Sequence, residues 1–121
     1  MKKIFIVEDD KGIQDTYKRK LVPLGFTVFQ AFDGKQLMEN VRLEKPDLIL
    51  LDIMLPGGMN GFDVLEQMKK DPELSSIPVL VFTNLEGEME TAKKIGATDY
   101  FIKANTSIDQ VVEKIKLHLG Q

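Results

Sequence analysis

Leu48-Ile49-Leu50-Leu51-Asp52 places four apolar residues in a row and ends them with a single acid. A short run of branched apolar residues between turn-forming segments is typical of a strand that is buried on both faces of a sheet. Four other segments have the same character, at residues 4–7, 28–31, 79–82 and 100–102. The sequence therefore predicts five short buried strands.

The segments between these strands carry apolar residues three or four positions apart, which is the spacing of one helical face. The first stripe contains Ile13, Tyr17, Leu21 and Leu24, and the Pro23-Leu24-Gly25 sequence predicts that this helix kinks or ends early. The other four stripes are Leu37, Met38 and Val41; Phe62, Leu65 and Met68; Met89, Ala92, Lys93 and Ile95; and Ile108, Val111, Val112, Ile115 and Leu119. Strict alternation of five strands and five helices predicts an α/β fold, with a doubly wound parallel sheet covered by helices on both faces.

Composition limits the classes of protein to which the chain can belong. With 121 residues, 43% of them hydrophobic and 29% charged, we expect one folded domain over residues 1–121. The absence of cysteine excludes disulfides and thiolate metal sites, which suits a cytoplasmic protein. A net charge of −3 without a basic block argues against direct nucleic-acid binding. No apolar run approaches the length of a membrane helix, so we expect no membrane association.

Polar residues follow four of the five predicted strands. Glu8 and Asp9 follow the first, Asp52 the third, Thr83 the fourth and Lys103 the fifth. In doubly wound sheets, ligands bind outside the carboxyl ends of the strands, so we expect these side chains to converge. Asp10 comes directly after the acidic pair, where it either faces solvent or begins the first helix.

Such a group suits phosphoryl chemistry that depends on a hard divalent cation. Carboxylate oxygens are ligands that Mg²⁺ accepts, and a Mg²⁺ ion with few protein ligands keeps positions open for phosphate oxygens. Lys103 adds a positive charge and Thr83 a hydrogen-bond donor for the same anion. Asp52 can act as a nucleophile and form an aspartyl phosphate.

The four motifs together resemble those of the receiver domains of two-component response regulators, over essentially the whole chain. The motifs are Ile6-Val7-Glu8-Asp9-Asp10, Leu50-Leu51-Asp52-Ile53-Met54-Leu55-Pro56, Val81-Phe82-Thr83-Asn84 and Asp99-Tyr100-Phe101-Ile102-Lys103. The resemblance implies a flavodoxin-like sheet of strand order 2-1-3-4-5. It also implies that Asp52 is the phosphoacceptor, with Thr83 and Lys103 assisting the reaction.

The resemblance further assigns the metal ligands and the switch residues. Asp9 and Asp52 are expected to bind Mg²⁺ directly, with the backbone carbonyl of Met54 as a third ligand and Glu8 acting through a water molecule. A histidine kinase or histidine phosphotransfer protein is the expected donor. Phosphorylation is then expected to draw Thr83 inward and let Tyr100 turn in, which changes affinity for a downstream partner or an output domain. Such a domain is a switch and not an enzyme with an external substrate.

Two segments depart from the family pattern. Pro56-Gly57-Gly58-Met59-Asn60-Gly61 has one residue more than the usual spacing between the loop proline and glycine, and we expect the two glycines to absorb it in a bulge. Lys103 is followed by Ala104, where the family commonly has a proline after a cis peptide bond. The direction of the Lys103 side chain therefore depends on whether the Lys103–Ala104 peptide bond is cis or trans.

Other interpretations stay open at this point. The chain could be an interaction module of the same fold that is not phosphorylated, or a metal-dependent phosphatase with an aspartyl intermediate. The latter typically has a second aspartate two residues beyond the nucleophile, where this chain has Met54. A flavin-binding protein would need a phosphate loop in place of Glu8-Asp9-Asp10. Tyr100 is equally well explained as an aromatic residue at the edge of the core, and a homodimer formed on phosphorylation is left open. His118 is interpreted as structural, and Met54, Met59, Met68 and Met89 as packing residues.

Overall fold

The computed structural model describes residues 1–120, in which five strands and five α-helices alternate. The strands are β1 (Lys3–Val7), β2 (Thr27–Ala31), β3 (Leu48–Leu51), β4 (Val79–Thr83) and β5 (Asp99–Ile102). The helices are α1 (Lys11–Leu21), α2 (Gly34–Glu44), α3 (Gly61–Lys70), α4 (Met89–Ile95) and α5 (Ile108–His118). Short 3₁₀ turns at Val22–Leu24 and Lys103–Asn105 follow α1 and β5. The predicted alternation is confirmed, and no strand end differs from its prediction by more than one residue.

All strand pairs are parallel, and the strands lie in the order β2-β1-β3-β4-β5. The expected flavodoxin-like topology is therefore confirmed. The chain leaves β1 in one direction to form β2 and later returns to the other side of β1 to form β3. The strand order thus reverses beside β1, and a doubly wound sheet opens a crevice at the carboxyl ends of the strands flanking such a point.

The core has two layers because successive strand residues face opposite sides of the sheet. Phe5 and Val7 of β1 pack on the side covered by α2, α3 and α4, whereas Ile4 and Ile6 pack on the side covered by α1 and α5. Every residue of β3 and β4 is buried. The central strands consequently have no solvent-facing side, which explains their uninterrupted apolar sequences.

The end of the first helix differs in one respect from its prediction. α1 ends at Leu21, and Pro23 lies in the following 3₁₀ turn, which Gly25 closes with a φ of 96°. The early end at Pro23 is therefore confirmed. The assignment of Leu24 to the buried face is wrong, because the tighter 3₁₀ turn leaves this side chain 45% exposed.

The methionines do not share one role. Met68 is fully buried in the core and Met59 packs against it, as predicted. Met54 lies in the loop after β3 and is 58% exposed, and Met89 begins α4 and is 48% exposed. Their interpretation as packing residues is wrong, because about half of each side chain is exposed to solvent.

The helix starts are fixed by side-chain caps. Asp10 and Asp33 accept hydrogen bonds from the backbone N–H groups of Ile13 and Gln36. Ser107 forms a reciprocal capping box with Gln110 at the start of α5. Among the described residues, none of the helices combines the length and the apolar character that a membrane crossing needs.

The start of α3 lies directly against the segment that follows β3. The Gly61 N–H donates to the Ile53 carbonyl at 2.8 Å. A Cβ at position 61 would lie 2.5 Å from the carbonyl oxygen of Asp52 and 2.5 Å from the Cα of Ile53. Because both atoms belong to the backbone, they cannot move aside as a flexible side chain would.

We therefore predict that Gly61→Ala lowers the free energy of unfolding by about 1–3 kcal/mol, the usual cost of overpacking a close contact. Urea unfolding followed by circular dichroism measures this change. A variant as stable as the parent protein would show that the segment after β3 tolerates displacement.

Candidate functional site

The site residues come from four strands that end at the same edge of the sheet. Register pairs Val7 of β1 with Leu51 of β3, so Glu8 and Asp52 follow neighbouring strands at the same level. Thr83 is the last residue of β4, opposite Ile102 of β5, and Lys103 comes next. The parallel topology therefore brings these side chains together, as the sequence predicts.

Asp52 lies in a closed and polar environment. The residue is 3% exposed, and its backbone N–H donates to the Val7 carbonyl at 3.0 Å. Its Oδ1 accepts a hydrogen bond from the Met54 N–H at 3.0 Å, and its Oδ2 accepts one from Lys103 Nζ at 2.8 Å. Both carboxylate oxygens are thus oriented by donors, which fixes the direction in which the group faces.

Glu8 is a buried carboxyl group with an altered pKa. It is fully buried and forms an ion pair with Lys103 through Oε1. Burial raises the pKa of Glu8 to about 7; the carboxylates of Asp52 and Asp9 act in the same direction, and Lys103 opposes them. Glu8 therefore changes its charge near neutral pH in the absence of another cation.

Lys103 joins the two buried carboxylates. Its ammonium group contacts both Glu8 and Asp52 and lies 4.7 Å from the centre of the Phe82 ring. Burial alone would lower the pKa of Lys103, but the hydrogen bonds to Asp52 and Glu8 outweigh burial and raise it. The side chain is therefore a fixed positive charge at this end of the sheet.

Three carboxylates meet closely enough to share a cation. Glu8, Asp9 and Asp52 each offer one oxygen, and these atoms all lie within 4.8 Å of one another. Glu8 and Asp52 are buried, whereas Asp9 is exposed and leaves the group open to solvent on one side. An all-oxygen donor set that is partly open matches the preference of Mg²⁺, which retains several waters. The residues therefore fit the ion that the sequence predicted.

Thr83 and Tyr100 are linked through the backbone of Leu85. Thr83 is fully buried, and its Oγ1 accepts a hydrogen bond from the Leu85 N–H at 3.3 Å. The Tyr100 hydroxyl donates to the Leu85 carbonyl, and the ring is 8% exposed. Burial raises the pKa of Tyr100, and the negative charges of Glu88 and Asp52 add to this effect. Thr83 and Tyr100 are thus connected through the N–H and the carbonyl group of the same residue, Leu85.

Comparison with known proteins identifies the family of this arrangement. The family model described as the response regulator receiver domain matches residues 4–116. The chain belongs to this receiver family. Receiver domains are signalling switches of two-component systems.

Individual relatives agree with this assignment. The transcriptional regulatory protein CrdR of Helicobacter pylori is 37% identical over 117 residues, which are 95% of this chain and 54% of that protein. The chain thus spans about half the length of this relative. The BeF₃-activated N-terminal receiver domain of Klebsiella pneumoniae RstA is 31% identical with a TM-score of 0.87, covering 98% of this chain and 99% of that one. The phosphorylated cyanobacterial phytochrome response regulator RcpA is 31% identical with a TM-score of 0.83, covering 95% and 91%.

The departures from the family pattern leave the receiver site intact. Gly57 and Gly58 have φ angles of 87° and 83°, so they absorb the additional loop residue as predicted. The Lys103–Ala104 peptide bond is trans. The Ala104 N–H donates to Asn84 Oδ1 at 3.0 Å, which holds the turn after β5 against the loop after β4. Lys103 nevertheless reaches Asp52.

The contacts of two polar residues were not predicted from the sequence. Asn84 belongs to the motif after the fourth strand, but its contact with the turn that carries Lys103 was not predicted. Gln14 lies among the apolar residues of α1 and is fully buried. The position of Gln14 beside Ile13 and Tyr17 could have indicated that its amide is buried. A buried amide needs hydrogen-bond partners, so a structural role could have been predicted.

His118 lies outside the receiver site. Its Nε2 is 3.4 Å from Asp99 Oδ2, at the opposite end of β5 from Lys103. Asp99 lies 19 residues away from His118 in the sequence. The contact supports a structural interpretation of this histidine.

We predict that Glu8→Gln stabilises the metal-free receiver domain at pH 8, by about 3 kcal/mol. The folded-state pKa of Glu8 is about 7 and its ordinary value is 4.5, so the folded protein holds this proton more tightly than the unfolded chain. Ionisation of Glu8 therefore costs stability as pH rises from about 4.5 to about 7, and glutamine removes that cost.

Urea unfolding in EDTA at several pH values measures this effect. The advantage of Glu8→Gln should shrink as the pH is lowered through 7 toward 4.5. Glu66→Gln, at an exposed position of α3, is the matched control and should show no such trend. Equal stability of Glu8→Gln and the parent at pH 8 would argue against a strained carboxylate at this position.

Proposed function

We propose that this receiver domain accepts a phosphoryl group on Asp52 from a phosphohistidine donor, that the transfer depends on Mg²⁺, and that the modification changes affinity for a partner. The observation that carries the proposal is the setting of Asp52. Its buried carboxylate lies 2.8 Å from the Lys103 ammonium and belongs to a group of three carboxylates whose oxygens lie within 4.8 Å of one another.

The metal would be held by the acidic group and the adjacent loop. Asp9 and Asp52 would bind Mg²⁺ directly, Met54 would contribute its backbone carbonyl, and Glu8 would act through a bridging water. When bound, Mg²⁺ reduces the negative charge that the carboxylates and the phosphoryl oxygens present to one another. The exposure of Asp9 gives both the ion and the donor access from solvent.

In the transfer step, an oxygen of the Asp52 carboxylate attacks the phosphorus of the donor phosphohistidine. The new P–O bond forms as the P–N bond breaks, and the donor imidazole leaves with the electron pair. Lys103 would contact the incoming phosphoryl oxygens; this role is supported by the position of its ammonium group beside Asp52 Oδ2. Backbone donation from Met54 keeps the carboxylate oriented during the attack.

The response to phosphorylation would pass through Thr83 and Tyr100. A phosphoryl group on Asp52 offers a stronger acceptor for the Thr83 hydroxyl than any group that contacts it before the reaction. Movement of Thr83 would change its bond with the Leu85 N–H, and the Leu85 carbonyl receives the Tyr100 hydroxyl. The face formed by α4, β5 and α5 would then alter its affinity for a partner.

Two similar solved structures support this function, since one is a BeF₃-activated receiver domain and the other is a phosphorylated response regulator. A histidine kinase or histidine phosphotransfer protein in the cytoplasm is the proposed donor. The proposed recipient of the signal is a downstream partner protein or an output domain outside these residues. The domain would catalyse its own phosphorylation and dephosphorylation without turning over an external substrate.

We predict that Asp52→Asn abolishes phosphorylation, because the amide lacks the nucleophilic carboxylate. The measurement is incorporation of label from radioactive acetyl phosphate in the presence of Mg²⁺. The parent should take up about one phosphoryl group per chain, and EDTA should prevent uptake. Asp10→Asn is the matched control, since asparagine keeps the α1 cap next to the site and should leave labelling unchanged.

Three results would overturn the proposal. Equal labelling of Asp52→Asn and the parent would show that another group is the acceptor. Multiple turnover of a small phosphomonoester by the parent would favour the phosphatase alternative. Absence of labelling in a folded, Mg²⁺-supplied parent would favour an interaction module that is not phosphorylated.

A further inference from the structure

The amide of Gln14 lies behind the acidic pair and contacts three backbone carbonyls. Its Nε2 donates to Ile6 O at 3.0 Å, to Glu8 O at 3.1 Å and to Ala31 O at 2.8 Å. The residue is fully buried in α1. One side chain thus fastens the first helix to the carboxyl ends of both β1 and β2.

Both backbone polar groups of Glu8, its N–H and its carbonyl, form hydrogen bonds in this arrangement. The Glu8 N–H donates to the Ala31 carbonyl at 3.0 Å, and the Glu8 carbonyl accepts from Gln14. Ala31 O is itself shared between Glu8 and Gln14. The direction in which the chain leaves β1, and therefore the position of Asp9, depends on this amide.

The other half of the metal-binding group is fixed to the same strand. The Asp52 N–H donates to the carbonyl of Val7, the residue between Ile6 and Glu8. The spacing between the acidic pair and Asp52 is therefore set by the path of β1 at residues 6–8. Gln14 contacts the carbonyls on both sides of Val7 in the sequence.

We infer that Gln14 is a positioning residue that sets the affinity of the acidic group for a divalent cation. The inference rests on the proposed function, because it concerns the Mg²⁺ that phosphorylation requires. Gln14 donates only to backbone carbonyls in this arrangement, so its effect is exerted through the geometry of Glu8 and Asp9. Groups that orient metal ligands typically change metal affinity by about 10–100-fold when they are removed.

The test compares two isosteric substitutions. Gln14→Met keeps the volume of the side chain and removes its hydrogen bonds. Gln30→Met is the matched control, because Gln30 is a half-buried glutamine of β2 whose Nε2 has no hydrogen-bond partner among the described residues. Isothermal titration measures the Kd for Mg²⁺ at a temperature at which thermal unfolding shows that each protein is folded.

The expected result is a rise in Kd of about tenfold or more for Gln14→Met and a change of less than about twofold for Gln30→Met. Saturating Mg²⁺ should restore most of the rate of phosphorylation by acetyl phosphate in Gln14→Met. A purely structural role would lower stability and leave the Kd unchanged. That outcome, with a parent that binds Mg²⁺ and is phosphorylated, overturns the inference and leaves the proposed function standing.

A measurement on the parent protein keeps the inference testable if Gln14→Met does not fold. The side-chain NH₂ resonances of Gln14 should shift in ¹⁵N-correlated NMR spectra as Mg²⁺ is added, because the carbonyls that they contact belong to the ligand-bearing segment. Those of Gln30 should move much less. Stationary Gln14 resonances during saturation of the site overturn the inference. A parent that does not bind Mg²⁺ overturns both this inference and the proposed function.

Discussion

Two carboxyl groups, Glu8 and Asp52, are buried side by side at one edge of the sheet, and a positive charge must lie with them. Ionised groups that leave water without compensation cost several kcal/mol each, so such a pair is stable only with a cation or a retained proton. Lys103 contacts the two carboxylates, and burial raises the pKa of Glu8 to about 7. The electrostatics of the receiver domain therefore depend on how much positive charge this pocket holds.

The parallel sheet explains why the acids meet despite their mutual repulsion. β1 and β3 are neighbours with both faces covered, so Glu8 and Asp52 emerge together where the strands end. Gly61 lets α3 approach the backbone of Asp52 and Ile53 closely. The apolar layers, whose burial drives folding, thus determine a polar arrangement that is unfavourable without a cation. The proposed divalent ion and phosphoryl group would change the charge of this pocket, which would suit it to act as a switch.

Much of this arrangement could be predicted from sequence, because it depends on local patterns. The apolar runs predicted the strands. The polar residues that follow these runs predicted Asp9, Asp52 and Lys103 as members of the site. The strand order came from family resemblance, since alternation of elements alone does not order a sheet. What escaped prediction depends on contacts between distant segments. Gln14 acts on Ala31, which is 17 residues away, and Asn84 acts on Ala104, which is 20 residues away. Leu24 was misplaced because helical periodicity was extended through a 3₁₀ turn.

The most direct measurement of the central claim is an anomalous-scattering map of crystals grown with saturating Mn²⁺, which replaces Mg²⁺ in many oxygen sites. We expect one strong peak between the carboxylates of Asp9 and Asp52, within bonding distance of an oxygen of each. Lys103 should remain beside Asp52 in the same map. A map without a peak between these two acids, or with the ion bound elsewhere on the domain, would contradict the account.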